Sequence, residues 1–202
     1  MKVVAVSQRV DAYPERSEIR DGLDQRLNNF LLADGYLSVP VPNSLILERP
    51  NGEALEEWLA QVAPSAVVLS GGNNIGSVSN RDLTEKALLD HANRARLPAL
   101  GICRGMQMMG LWAGTRLKPV AGHVHSRHRL SGEIAVEVNS YHDFSLERCP
   151  QDFLVLARSE DGEIEAIRHF ELPWEGWMWH PEREEKKFSA QDAFRLRNLF
   201  GE

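Results

Sequence analysis

The chain has 202 residues, of which 43% are hydrophobic and 26% charged. This balance excludes a disordered polymer and fits a single domain, expected to span residues 1–202, with a full core. The formal net charge is -6 and no long basic run occurs, so nucleic-acid binding lacks electrostatic support, and no apolar run approaches bilayer-crossing length. Two cysteines, Cys103 and Cys149, are too few for a disulfide framework, and the apolar part of Met1 to Arg9 is too short for a signal peptide; a reducing, cytoplasmic location is expected.

Val3 to Val6 reads as a central strand with Ser7-Gln8-Arg9 at its C-terminal end, where open α/β sheets place their sites. Ile19, Leu23, Leu27, Phe30 and Leu31 recur at helical spacing and predict a helix over Glu18 to Ala33, ended by Asp34-Gly35. Tyr36 to Val41 reads as a second strand, pushed towards a sheet edge by Pro40 and Pro42. A helix from about Leu55 to Val62 and a strand over Ala66 to Leu69 follow. Ser70-Gly71-Gly72-Asn73-Asn74 then carries paired glycines, which let the backbone approach a ligand and turn N–H groups outward; a plain β-turn is the alternative. Asn80 is the expected N-cap of a helix over Arg81 to Arg96, with Leu83, Ala87, Leu88 and Ala92 on one side and Pro98 as its stop.

Leu97 to Leu100 reads as a buried strand and Met106 to Ala113 as a helix, so strands and helices alternate through the first half. That alternation predicts an α/β fold of three layers, a mostly parallel central sheet with helices on both faces. The second half adds a small antiparallel part: Glu133 to Val138, Phe153 to Ala157 and Ile164 to Ile167 alternate, with a hairpin turn at Asp161-Gly162. Trp177-Met178-Trp179 reads as a last apolar strand ending at His180-Pro181-Glu182. Glu184-Glu185 and Lys186-Lys187 read as solvated surface, and Ser189 to Phe200 as an amphipathic helix with Phe194, Leu196, Leu199 and Phe200 inward. Trp58, Trp112 and Trp174 suit either core or contact surface, and oligomeric state is not legible.

The chemistry concentrates in Gly101-Ile102-Cys103-Arg104-Gly105, a strand-to-helix turn with a nucleophile between two glycines. The glycines avoid clashes at a tight turn, and the following helix aims its N-terminus at the sulfur, which favours thiolate. A buried structural cysteine beside two turn glycines is the alternative. His180 and Glu182 lie just past a strand end, two residues apart and therefore able to point into one crevice. A thiol, a base and a group that fixes the base are the requirements of nucleophilic catalysis.

GICRGMQ around Cys103, SGGN from Ser70 to Asn73 and WHPE from Trp179 to Glu182 resemble the class I glutamine amidotransferase-like superfamily over nearly the whole chain. Arg104 and Met106 stand where ammonia-delivering domains usually carry leucine and histidine. Val138-Asn139-Ser140-Tyr141-His142 and Asp161 to Ile167 likewise resemble the stand-alone γ-glutamyl hydrolase branch. Ser7-Gln8-Arg9 and the stretch from Glu18 to Leu27 are similar to γ-glutamyl-CDP-amidate hydrolases, which act in the route that puts phosphoramidate on bacterial surface polysaccharide; Asn74 replaces an aspartate common among relatives. The resemblance implies a flavodoxin-like fold, Cys103 as nucleophile, His180 as acid and base, Glu182 as its orienter, and Gly72 and Arg104 N–H groups as the oxyanion hole. It also implies glutamyl recognition by Gln107 and the backbone near Ser140, Tyr141 and His142, with Asn139, Gly71 and Asn73 as further substrate-binding candidates and no cofactor.

His123, His125 and His128 match no common zinc spacing and read as a polar surface loop, so no metal is expected. Arg9, or Arg127 with His128 and Arg129, is a candidate for an anionic leaving group such as a nucleotide diphosphate. The leading expectation is hydrolysis of γ-glutamyl-CDP-amidate to glutamate and cytidine diphosphoramidate. The alternatives are a hydrolase of another γ-glutamyl amide (γ-glutamyl-GABA type), a glutaminase that feeds ammonia to a separate synthetase, a non-catalytic binder, and a redox or chaperone protein sharing the cysteine turn.

Overall fold

The computed structural model describes residues 1–184 and 188–201; the expected surface run at Glu185, Lys186 and Lys187 lies outside the described residues. The strands are β1 (Lys2–Val6), β2 (Arg9–Tyr13), β3 (Glu18–Gly22), β4 (Tyr36–Pro40), β5 (Ala66–Leu69), β6 (Ala99–Ile102) and β7 (Leu117–Pro119). They continue as β8 (Val124–Arg129), β9 (Ser131–Gly132), β10 (Glu137–Tyr141), β11 (Phe144–Leu146), β12 (Phe153–Arg158), β13 (Ile164–His169) and β14 (Trp174–Trp177). The α-helices are α1 (Gln25–Ala33), α2 (Glu53–Val62), α3 (Ser79–Ala95), α4 (Arg104–Trp112) and α5 (Ala190–Phe200).

The main sheet runs β4-β1-β5-β6-β14-β13-β12-β9, parallel from β4 to β14 and antiparallel beyond. Its two faces follow from the period-two alternation of the parallel strands. Val4, Val6, Ala66, Val68, Leu100 and Ile102 point to the face covered by α1 and α5, where Leu27, Phe30, Leu31, Leu196 and Phe200 are buried. Ala5, Val67, Leu69 and Ala99 point to the other face, covered by α2, α3 and α4 through Leu55, Leu59, Leu88, Leu89, Met106 and Met109. The three-layer expectation therefore holds, and β4, which ends at Pro40, is an edge strand. Among the described residues, no helix is long and apolar enough to cross a membrane.

Several elements depart from expectation. The predicted helix over Glu18 to Ala33 starts only at Gln25, where Asp24 caps it by accepting from Arg26 N at 3.0 Å. Residues 18–22 instead pair with β2 as an antiparallel hairpin outside the main sheet, leaving Ile19 73% exposed. The helix predicted from Asn80 begins at Ser79; Leu83 is exposed, and the inward face carries Arg81, Thr84 and Glu85 beside Leu88, Leu89 and Ala92. Phe194 points outward from α5. β14 ends at Trp177, and Met178 still donates its N–H to Glu165 O of β13 at 2.8 Å. Of the strand expected at Glu133 to Val138 only Glu137 and Val138 are extended, at the start of β10, residues 133–136 being irregular; the partner of β10 is β8, the segment read as a loop. A polar run becomes a strand there because β10 supplies its backbone hydrogen bonds.

Candidate active site

β6 ends at Ile102 and α4 begins at Arg104, so Cys103 alone turns the chain, at φ 50° and ψ -104°. For a residue with a Cβ this region costs about 1–3 kcal/mol, and it persists only where the surroundings fix it. Here they do. Cys103 N–H donates to Trp177 O at 2.7 Å, a Cβ on Gly101 would come within 2.6 Å of Gly105 C, and a Cβ on Gly105 would strike the Leu69 carbonyl. Because β14 is the parallel neighbour of β6, with Trp177 opposite Ile102, the residues that follow both strands emerge at the same sheet end. This brings Cys103 and His180 together across the sequence.

His180 is buried and lines the smaller of two cavities together with Cys103, while its Nδ1 lies 2.6 Å from Glu182 Oε1. Burial on its own would lower the imidazole pKa. The bonds to Cys103 and to Glu182, with the charges of both, outweigh it and raise the value to about 9. Nδ1–H donates to the carboxylate, which leaves Nε2 for the sulfur. Asn139 clamps the His180 backbone from both sides: Nδ2 donates to His180 O at 2.8 Å and Oδ1 accepts from His180 N at 2.9 Å. Gly71 presses on the ring, since a Cβ there would lie 2.5 Å from Cε1.

Two cavities meet at this point. The smaller, ≈ 170 Å³, is bounded by Gly72, Asn74, Cys103, Arg104, Gln107, Tyr141, His142 and His180. The larger, ≈ 570 Å³, is bounded by the β2–β3 hairpin, α1, Ser70 to Gly72, Glu182 and Arg183. Gly72 and Arg183 line both. Gln107 is oriented by donating to Phe144 O at 2.9 Å, and Tyr141 meets His180 edge-on with ring centres 5.7 Å apart.

Other expected contacts are differently employed. The Asn73 amide is consumed by Val10 N and O, both at 2.9 Å, and by Arg81, so it anchors the hairpin to the glycine loop. Asn139 is occupied with His180, and fully buried Ser140 donates to His123 O at 2.7 Å. Arg9 lines the larger cavity and pairs with Asp11 at 2.7 Å. Arg127 is engaged by Glu137 and Glu184, and His128 packs on His123, so neither joins Arg9 in lining that cavity.

Arg183, over the Tyr141 ring at 5.0 Å, is a residue that sequence reasoning missed. A buried ionic group under the glycine loop was missed as well. Arg81 donates to Ser70 O and Gly71 O, each at 2.8 Å, and to Glu85; Glu85 accepts from Ser7, and Glu85 and Asp82 hold the Arg104 guanidinium. The i,i+4 spacing of Arg81 and Glu85 on the face that also carries Leu88 and Ala92 was its only trace in the sequence.

The chain belongs to the class I glutamine amidotransferase family, whose pattern it matches over residues 41–198. It is 34% identical over 125 residues to a γ-glutamyl-CDP-amidate hydrolase of Campylobacter jejuni, covering 59% of this chain and 62% of that one. The match thus spans less than two thirds of that hydrolase's length. The chain is 32% identical over 151 residues to the glutamine-hydrolysing GMP synthase component of Methanosarcina barkeri, covering 66% and 71%. A crystal structure from Thermoplasma acidophilum, described as a component of GMP synthase, superposes with a TM-score of 0.74 over 99% of this chain and 92% of that one at 21% identity. A glutamine amidotransferase from Thermotoga maritima gives 0.62 over 99% and 83% at 17% identity.

Proposed function

We propose that this protein hydrolyses a γ-glutamyl amide through a covalent thioester on Cys103, and that its substrate is γ-glutamyl-CDP-amidate. The observation that carries the reading is Cys103 on a positive-φ elbow sharing one cavity with His180, whose ring is bonded to Glu182. The Cys103 sulfur attacks the γ-carbonyl carbon, and the Gly72 and Arg104 N–H groups receive the oxyanion, each such donor being worth roughly 3 kcal/mol. His180 Nε2–H protonates the departing nitrogen as the C–N bond breaks. The same nitrogen then takes a proton from the water that cleaves the thioester, and glutamate leaves. Glu182 holds the ring and its charge throughout.

The smaller cavity suits the glutamyl half, with Gln107, Tyr141 and His142 on its wall. The larger cavity falls in the size range of small-molecule sites and sets Arg9 and Arg183 where a diphosphate-linked leaving group would lie. The similarity to a γ-glutamyl-CDP-amidate hydrolase supports this reading. The similarity to glutamine-hydrolysing GMP synthase components favours a second one, a glutaminase that hands ammonia to a separate synthetase.

Glutamate release from γ-glutamyl-CDP-amidate, a γ-glutamyl polyamine, a folate polyglutamate and glutamine separates the two, measured with and without cell extract. The expected result is preference for the nucleotide-linked substrate by at least about tenfold, no activation by extract, and loss of at least about 10³-fold in Cys103→Ala. Glutamine turnover that appears only with extract establishes the second reading. Unchanged activity in Cys103→Ala overturns both.

A further inference from the structure

Behind the wall of the smaller cavity, three histidines and a glutamate converge. His123 precedes β8, His128 lies within it, His142 follows β10 and Glu165 belongs to β13. His123, His142 and Glu165 are buried, and His128 is half-buried. One ligand atom from each of the four lies within 4.8 Å of all the others.

The hydrogen bonds around the cluster fix what faces its centre. His123 Nε2–H donates outward to Asp161 Oδ2 at 2.8 Å, which leaves Nδ1 with a bare lone pair. His142 Nδ1–H donates outward to Phe144 O at 3.0 Å, which leaves Nε2 bare. These two lone pairs are 3.2 Å apart, and they stand 3.3 and 3.4 Å from Glu165 Oε1. Glu165 is fully buried and neither of its oxygens has a hydrogen-bond partner among the described residues. Two imidazole nitrogens and a carboxylate at such separations, away from water, repel one another unless a shared proton or a metal cation lies between them.

The spacing identifies the cation. Zinc bonds of about 2.0–2.1 Å in a tetrahedron put ligand atoms about 3.3 Å apart. The three observed separations match that edge length. His128, whose ring lies 4.1 Å from that of His123, has a ligand atom within 4.8 Å of the other three and reaches the fourth position by closing in on the ion. Three imidazoles and one carboxylate form a zinc-type donor set, and outward bonds from ligand histidines to a carboxylate and to a backbone carbonyl are the usual outer support of such sites.

We propose that His123, His128, His142 and Glu165 bind one zinc(II) ion, a closed structural site that clamps β8, the end of β10 and β13. His142 bounds the smaller cavity on its other side, so the ion holds the cavity wall at residues 141 and 142. This assignment is independent of the substrate.

The test is metal analysis of the purified, dialysed chain by plasma mass spectrometry, followed by stripping with a chelator and reloading with zinc(II) alone. About one zinc per chain is expected, together with a thermal midpoint that falls on stripping and returns on reloading. Glu165→Gln and His123→Gln are expected to lose the metal, while Cys103→Ser and His180→Asn keep it, which separates this site from zinc held by the reactive thiol. If the buried-ligand variants do not fold, half-buried His128→Ala serves, with zinc affinity lowered about 10- to 100-fold in competition with a chelator. A stripped wild-type chain that takes up no zinc overturns the proposal. So does zinc content that is lost in Cys103→Ser or unchanged affinity in His128→Ala.

Discussion

At the scale of single residues, the charge state of His180 decides when the site works. Burial opposes the imidazolium, but its bonds to Cys103 and Glu182 prevail and hold its pKa near 9, above its ordinary value of 6.5. The stabilisation drawn from these partners is complete below the ordinary value and disappears as pH rises through about 9. The proton needed by the leaving nitrogen is lost over the same range. The plot of kcat/KM against pH is therefore expected to fall on its alkaline side near 9 in the free enzyme. In Glu182→Gln the fall is expected at lower pH and kcat is reduced by roughly 10²-fold or more. Steady-state rates across pH for both proteins check this, and an unmoved alkaline limb counts against the role of Glu182.

The triad's residue types and their glycine and proline neighbours were readable in the sequence because strained turns permit few alternatives. Asn73, Asn139 and Ser140 were read as substrate-binding candidates; their side chains serve the hairpin, the His180 backbone and the His123 carbonyl, while the expectation near Ser140 concerned its backbone. A polar residue beside a site has the same letter whichever way it points.

At the scale of elements, the β2–β3 hairpin is the main difference between expectation and structure. Ile19 and Leu23 stand four apart and so continue the helical rhythm of Leu27, Phe30 and Leu31, although Ile19 faces solvent and only Leu23 reaches the core. Helical spacing over two positions is a coincidence that strand residues readily produce. The hairpin builds one side of the larger cavity and is pinned to the glycine loop through Asn73. Its Arg9 and the facing Arg183 are expected to act on the leaving group more than on the glutamyl half. Arg9→Ala and Arg183→Ala should each raise KM for γ-glutamyl-CDP-amidate by about tenfold, and KM for glutamine by much less, in line with hydrogen bonds to charged groups. Steady-state kinetics with both substrates test this, and equal effects on the two exclude a leaving-group role.

Across the whole molecule, the alternating first half made the parallel sheet and its covering helices legible, whereas the order of the later strands was not written locally. Register between β6 and β14 depends on residues about 75 positions apart, and no short-range pattern encodes it. Helix α5 returns to pack beside β1 and β4. Phe200 meets Tyr36 edge-on at 5.2 Å between ring centres, and Lys2 Nζ donates to Phe200 O at 3.3 Å. Phe200→Ala is expected to lower stability by about 3 kcal/mol, seen as a lower urea midpoint with an unchanged slope.

The place of β14 has a consequence for how the protein is made. It leaves the ribosome after every other strand of the main sheet, yet it occupies an interior position between β6 and β13. Until it emerges, the nascent chain holds two half-sheets with open edges and Cys103 without His180 beside it. The proposed activity therefore begins only once β14 and His180 have been delivered, and the open edges can associate with other chains until then.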